Sequence, residues 1–217
     1  MKLTLYSYWR SSCSWRVRIG LALKGVPFDY RGVDLLKGEQ WDEAHGRRSP
    51  LHQVPALEVE EGGRTVTLVQ SMAILEWLEE RFPAPPLLPR DPEGRARVRA
   101  IAEHVNAGIQ PFQNTSPRKL LAAERKGLED EYTRHFLALG VRGLEAAVAA
   151  GAGRFCHGDA VSLADLYLVP QLFGCRRFGV DLAGCPTLLR VEAACNELPA
   201  FQAALPERQP DAPRQEA

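Results

Sequence analysis

The stretch Tyr6-Ser7-Tyr8-Trp9-Arg10-Ser11-Ser12-Cys13-Ser14-Trp15-Arg16-Val17-Arg18-Ile19 decides the fold. It follows an alternating run, Leu3 and Leu5 between Lys2, Thr4 and Tyr6, which predicts a strand with one buried face. Ser11 and Ser12 stand where a helix N-cap belongs. Val17, Ile19, Leu21 and Leu23 carry an apolar pattern to Gly25, a C′ residue after Lys24. Hydroxyls and a thiol therefore gather at a strand-to-helix turn. Such a turn points backbone N–H groups and the positive end of a helix dipole outward, where a thiolate or carboxylate is stabilised. The same residues also read as an ordinary serine-capped helix, and the stretch alone does not choose between the two.

The chain has 217 residues, enough for one large or two small domains with a real core. Lys plus Arg and Asp plus Glu are 27 each, so nothing argues for non-specific binding to nucleic acid or to an anionic membrane. No run approaches the roughly 18 apolar residues that span a bilayer. After Lys2 the apolar run is short and alternating, unlike a signal peptide. Cys13, Cys156, Cys175, Cys185 and Cys195 are an odd set with no Cys-x-x-Cys pair, which fits reduced thiols in a cytoplasmic protein better than disulfides or zinc. No His-x-x-x-His spacing occurs, and no metal centre is expected.

Outward from the opening stretch, Phe28 and Tyr30 alternate with Asp29 and Arg31 as a short second strand. Residues 34–50 read as a loop with at most a short helix around Trp41. A strand begins at Pro55, with Leu57 and Val59 alternating, and proline is tolerated at a strand start. Glu61-Gly62-Gly63 turns it into a paired strand through Val66 and Leu68. Gln70-Ser71 opens a helix with Ile74, Leu78 and Phe82 on one face, and Pro83 stops it. This β-α-β-β-β-α order describes a small α/β domain over 1–83. Prolines crowd 84–91, a stiff linker. Past it no strand is expected. Asp91-Pro92-Glu93 caps a helix carrying Val98, Ile101, Val105 and Ile109. Tyr132, Phe136, Leu139, Leu144 and Val148 mark a second long helix. Ser162-Leu163-Ala164-Asp165 forms a capping box with Asp in place of Glu or Gln, opening a nearly all-apolar helix through a core that Pro170 should kink. Shorter helices follow Pro186 and Leu198. An all-helical domain thus spans 92–206, and 207–217 reads as a disordered tail.

This layout resembles that of cytosolic glutathione transferases: a thioredoxin-like N-terminal domain (βαβ-ββα) joined by a proline-rich linker to an all-α C-terminal domain. Ser11-Ser12-Cys13-Ser14-Trp15-Arg16-Val17-Arg18-Ile19 closely resembles the S-S-C-x-W-R-V-R-I-A-L signature of the zeta class, the maleylacetoacetate isomerases, with Gly20 for the usual Ala. Gln53-Val54-Pro55 resembles the cis-proline motif and Gln70-Ser71 the γ-glutamyl-binding pair of the superfamily. Gln110-Pro111-Phe112-Gln113-Asn114-Thr115-Ser116 resembles a zeta-class segment, and the likeness runs from about residue 3 to residue 211.

The resemblance implies glutathione as cofactor, a small dicarboxylate substrate and a homodimer. A free thiol of pKa about 8.5 is only a few per cent ionised at neutral pH, and lowering that value by two units takes about 2.7 kcal/mol. A hydroxyl donor with helix-terminal amides can supply it. Ser11 leads as this donor, with Ser12 next and Cys13 as a second contact; Ser12 also reads as a plain cap, and Cys13 as a redox thiol. Val54 before a cis-Pro55 would pair with the peptide backbone of glutathione as one more strand does. Ser71 would take the γ-glutamyl carboxylate and Gln70 the amino side. Gln40 and His52 are candidates for the glycyl end, His52 also reading as an exposed loop residue. Gln110, Asn114 and Ser116 would line the pocket, Asn114 equally fitting a turn. Arg10 and Arg177 would bind substrate carboxylates. Arg176 reads as a solvated charge, and Arg95, Arg97 and Arg99 as a solvated face or dimer contact.

The implied reaction is glutathione-dependent cis–trans isomerisation of maleylacetoacetate to fumarylacetoacetate by reversible thiolate addition, in tyrosine and phenylalanine breakdown. Three rivals stand beside it: a maleylpyruvate isomerase of gentisate breakdown, a transferase for α-halo acids, and a non-catalytic binding protein on the same fold.

Overall fold

The computed structural model describes residues 1–213. It divides into two compact units, Met1–Pro85 with Leu198–Ala217, and Pro86–Glu197.

The first unit is built on a four-stranded sheet of order β2-β1-β3-β4. Strand β1 (Lys2–Ser7) runs parallel to β2 (Asp29–Gly32), in the register Leu5 opposite Tyr30. A parallel neighbour needs a crossover, and helix α1 (Ser12–Leu23) supplies it. Strand β3 (Ala56–Glu61) pairs antiparallel with β1, Leu5 opposite Leu57, and β4 (Arg64–Val69) pairs antiparallel with β3. Gly62 and Gly63 join that hairpin, both at positive φ (58° and 76°), the backbone that a two-residue hairpin turn demands. Gly25 at φ 63° ends α1 as its C′ residue, as the sequence predicts. Helix α3 (Ser71–Arg81) stops two residues before Pro83 and packs on α1. Leu3, Leu5, Leu57, Val17, Ile19, Leu21, Ile74, Leu75 and Leu78 form the buried interior.

Two expectations for this unit are corrected. Strand β1 is covered on both faces, since Thr4 is buried along with Leu3 and Leu5. Residues 34–50 are more ordered than a loop: a 3₁₀ turn (Glu39–Trp41) leads into helix α2 (Glu43–Arg48), whose buried His45 accounts for a helix in so polar a stretch.

Every helix or strand assigned in the second unit is a helix, with one isolated bridge between Ala152 and Gly158 in the connection before the last two helices. Helix α4 (Pro92–Gly108) is capped by Asp91, whose side chain accepts the Gly94 N–H at 2.6 Å. A 3₁₀ turn (Gln110–Gln113) and helix α5 (Thr115–Glu124) follow, then α6 (Leu128–Ala149), α7 (Leu163–Arg177) and α8 (Pro186–Asn196). Helix α7 packs on α4, α6 and α8 and is buried nearly all round, and the helix continues through Pro170. Helix α5 has no buried residue, which is why no apolar stripe announced it. The buried face of α6 is Thr133, Leu137, Val141, Leu144 and Val148. Tyr132 and Phe136, assigned to that face from sequence, instead form an aromatic cluster with Phe112, while Leu139 is exposed.

The domain limits shift as well. Leu87 and Leu88, expected in the linker, are buried, and the Leu87 carbonyl accepts the Leu163 N–H at 2.7 Å, so that part of the linker belongs to the helical unit. Helix α9 (Pro199–Ala203), expected in the helical domain, belongs to the first unit, where Phe201 is buried. The expected disordered tail is structured as far as it is described: Pro206–Arg208 form a 3₁₀ turn, and Asp211 accepts two hydrogen bonds. Residues 214–217 of that tail lie outside the described residues. Among the described residues no helix is long and apolar enough to cross a membrane.

Candidate active site

Helix α1 starts at the turn that the sequence singles out. Ser11 is its N-cap at φ −68°, ψ 118°, and its Oγ accepts the Ser14 N–H at 3.2 Å. Capping therefore falls to Ser11 and not to Ser12, which is the first helical residue. A serine oxygen that accepts from the helix still has its hydrogen to donate. Ser11, Ser12 and Cys13 are all half-exposed, and the first turn of α1 carries no acidic residue, so no carboxylate of that turn offsets the positive end of the helix dipole. Arg10, just ahead, lies 5.3 Å from the Trp9 ring centroid.

The same unit brings the other expected glutathione residues of the first domain into an ordered framework. The Val54–Pro55 peptide is cis, as the motif implies. Val54 lies beyond the end of the β1–β3 ladder, which closes at Tyr6 opposite Ala56. Gln53 is held firmly: Ser49 Oγ accepts its N–H at 3.1 Å, His45 Nε2 is 3.0 Å from its carbonyl oxygen, and its side-chain oxygen accepts from Gln70 Nε2 at 3.3 Å. Gln70 sits at φ 70°, a left-handed backbone unusual for a residue with a Cβ, immediately before α3. Ser71, the first residue of α3, is buried, and its Oγ accepts from Arg16 Nη1 at 3.2 Å. Arg16 is fully buried within α1, so a guanidinium stands beside the α3 N-terminus. His52 is not the exposed loop histidine that one reading offered. It is half-buried at φ 53°, its Nδ1 is 2.8 Å from the Gln40 carbonyl oxygen, and its ring lies 4.6 Å from that of Trp41. Gln40 itself is buried.

In the helical unit, Gln110 Nε2 donates to Asn114 Oδ1 at 2.6 Å. Asn114 occupies the N-cap position of α5, and Ser116 is exposed in that helix's first turn. Arg177 is the last residue of α7, its guanidinium 5.0 Å from the Phe178 ring centroid, with Arg118 also against that ring at 4.7 Å. Arg176, expected as a solvated charge, forms a two-pronged ion pair with the buried carboxylate of Glu192.

Sequence reasoning passed over Arg16 and Gln53 as individual site residues. Arg16 enters the sequence reading only as part of the Ser11–Ile19 signature, and burial is what distinguishes it. Gln53 lay in the quoted motif, but its bond to Gln70 is a tertiary pairing without a local signature.

Three comparisons bear on this geometry. The family model described as glutathione S-transferase, N-terminal domain, matches residues 10–81. Maleylacetoacetate isomerase of Mus musculus is 44% identical over 214 residues, spanning 98% of this chain and 96% of the relative. A crystal structure of maleylacetoacetate isomerase from Anaeromyxobacter dehalogenans, with GSH bound in its active site, is 63% identical with a TM-score of 0.92, covering 98% of each chain. The chain belongs to the zeta-class glutathione transferase and maleylacetoacetate isomerase family. A holo structure of maleylpyruvate isomerase, a bacterial zeta-class transferase, is 42% identical, with a TM-score of 0.90 over 97% of this chain and 100% of that one. The Anaeromyxobacter isomerase also has a structure with dicarboxyethyl glutathione and citrate in its active site.

The residues present here fit the glutathione known from this family. The tripeptide carries carboxylates and a thiol that must ionise. The first unit offers at α1 a helix start with no acidic residue in its first turn, and at α3 a second helix start backed by the Arg16 guanidinium.

Proposed function

We propose that this protein is a glutathione-dependent cis–trans isomerase that converts maleylacetoacetate to fumarylacetoacetate in tyrosine and phenylalanine breakdown. The observation that carries the reading is the open start of α1, with half-exposed Ser11, Ser12 and Cys13 and no acidic residue in its first turn. The 63% identity to the Anaeromyxobacter isomerase supports maleylacetoacetate over maleylpyruvate, whose isomerase structure is 42% identical.

Glutathione, when bound, supplies the thiolate that adds reversibly to the conjugated cis double bond and leaves after rotation. Ser11 donates its hydroxyl hydrogen toward the sulfur, and the amides at the start of α1 add positive potential. Cys13 is the second contact and Ser12 the alternative donor. Val54 offers its backbone to the peptide part, beyond the end of the ladder. Ser71 takes the γ-glutamyl carboxylate at the α3 start, aided by Arg16, while Gln70, fixed by Gln53, faces the amino side. Gln40 and His52, joined by a hydrogen bond, take the glycyl end. Gln110, Asn114 and Ser116 are assigned to the binding pocket. Arg10 and Arg177 bind the substrate carboxylates as bidentate forks. A homodimer in the cytoplasm completes the proposal.

The deciding experiment measures isomerisation of maleylacetoacetate by the purified protein with and without glutathione, alongside maleylpyruvate. Strictly glutathione-dependent turnover, faster on maleylacetoacetate, is expected. Preference for maleylpyruvate would select the gentisate-pathway reading. Glutathione binding without turnover of either acid would reject isomerisation and direct attention to α-halo acids. Absence of glutathione binding would favour a non-catalytic protein.

A further inference from the structure

The Tyr8 carbonyl accepts the Ser11 N–H at 3.0 Å, which closes the turn that presents Ser11. Inside this turn, both backbone groups of Trp9 are held from afar. Its N–H donates to Asp211 Oδ2 at 2.9 Å, and its carbonyl accepts from Arg18 Nη2 at 2.9 Å. Arg18, only 2% exposed, also donates to the carbonyls of Tyr8 and Ala204 and to Ser7 Oγ. The second oxygen of Asp211 accepts the Tyr30 hydroxyl at 2.6 Å. Gly32 makes room for this carboxylate, since a Cβ there would lie 3.1 Å from the Asp211 Cβ. The need is close approach, because Gly32 is not among the positive-φ glycines. Burial and the bond to Asp211 raise the Tyr30 pKa, so its hydroxyl stays a donor. Burial lowers that of Arg18 to about 10, which leaves it a cation at neutral pH. All these groups lie in the first compact unit.

We infer that residues 199–211 form a strap on the nucleophile turn, and that Asp211 is a positioning residue which, through the Trp9 peptide, fixes the Ser11 hydroxyl where it meets the glutathione sulfur. The inference rests on the isomerase reading above. It goes beyond it by giving a catalytic consequence to a residue two hundred positions from Ser11 in the chain. The action is one of geometry. A carboxylate's charge would by itself disfavour a nearby thiolate, and Arg18 faces it. Hydrogen bonding and charge therefore predict opposite signs when Asp211 is removed.

The test compares full-length wild type, Asp211→Ala, Asp211→Asn and Tyr30→Phe by the pH dependence of kcat/KM for glutathione-dependent isomerisation, with thermal stability measured separately. For Asp211→Ala the acid limb should move about one pH unit toward alkaline, a loss of about threefold at neutral pH that approaches about tenfold further down the limb and vanishes at high pH. In Asp211→Asn the amide oxygen can still accept from Trp9 and the amide nitrogen can donate to Tyr30, so kcat/KM should stay within about twofold of wild type. Tyr30→Phe, which removes one of the two bonds, should fall between them. An acid limb of Asp211→Ala that is unmoved, or moved toward acid, overturns the inference, even if stability drops. So does an Asn variant as impaired as the Ala variant, because the hydrogen bonds that the amide retains would then not carry the effect. If Asp211→Ala does not fold, Tyr30→Phe decides: an unmoved acid limb overturns the inference, and a shift toward alkaline supports it. Failure of the underlying reading is seen separately, as a wild type without glutathione-dependent turnover.

Discussion

Helix α7 begins at Ser162 with Asp165 three residues on, and helix α1 begins at Ser11 with Ser14 in the corresponding place. At α7 the carboxylate fills the site. Asp165 accepts the N–H groups of Ser162 and Cys156, each at 2.8 Å, and the Ser162 hydroxyl at 2.9 Å, and both Ser162 and Asp165 are buried. At α1 the cap makes a single longer bond, 3.2 Å, and Ser11, Ser12 and Cys13 remain half-exposed. One local device, a serine at a helix start, thus serves stability where the helix's own first turn supplies a carboxylate and leaves room for chemistry where it does not. The α1 turn is instead braced from behind, by Arg18 and Asp211 on the Trp9 peptide.

The comparison is tested most severely by Asp165→Ala. It leaves buried donors of Ser162 and Cys156 without an acceptor, and a loss of about 3 kcal/mol is expected in chemical denaturation, with the denaturant midpoint falling and the slope unchanged. A smaller loss than from Ser162→Ala would break the contrast. Next come the thiols. Cys156 and Cys195, near Asp165, have pKa values raised chiefly by burial, and burial raises that of Cys175 to about 11. A thiol at that value has roughly 100-fold less thiolate at neutral pH than one at the ordinary 9.0. Alkylation of the native protein followed by peptide mapping should therefore label the half-exposed Cys13 first and the others only on unfolding. The same shift has a thermodynamic consequence. Native Cys175 keeps its proton to about 11, whereas the unfolded chain releases it near 9.0, so its contribution to stability is full below pH 9 and declines as pH rises through 11. A pH series of denaturation midpoints, wild type against Cys175→Ala, isolates that decline.

Ser11→Ala should invert the pattern of Asp165→Ala. Activity should drop about a hundredfold, the range for removing one donor to a developing anion, while stability falls by only about 1 kcal/mol. Equal losses in both would make Ser11 a cap and nothing more. The smallest effect is expected from Ser162→Ala, about 1 kcal/mol of stability, since the Asp165 carboxylate still accepts the neighbouring N–H groups.

Much of this was legible in residue order. The period-two runs around Leu5 and Leu57, the Gly62-Gly63 turn, the Pro92 start and the Ser162–Asp165 box each carry a short-range signature, and each element lies where that signature puts it. Helix α5 was missed because it buries nothing, and α2 was legible only as at most a short helix around Trp41, because its stretch is polar. The face of α6 was misread because Tyr132 and Phe136 meet Phe112 instead of joining the buried stripe. Arg16 and Arg18 defeated pattern reading outright. They are 0% and 2% exposed in a helix where periodicity assigns charge to the surface. Their partners include Ser71 for one and the Ala204 carbonyl for the other, both distant in the chain.

By itself, then, the sequence determined the two-part organisation, the strand-to-helix turn with its hydroxyls and thiol, and the chemistry that such a turn can support. These depend on side-chain periodicity and capping, interactions within a few residues. The tertiary structure alone decided which serine start is open and which is filled, that two arginines are interior, and that Asp211 returns to brace the turn at Trp9. Those outcomes turn on burial and on hydrogen bonds such as Trp9 to Asp211, where each group's partner is set by packing and leaves no trace in its own neighbourhood.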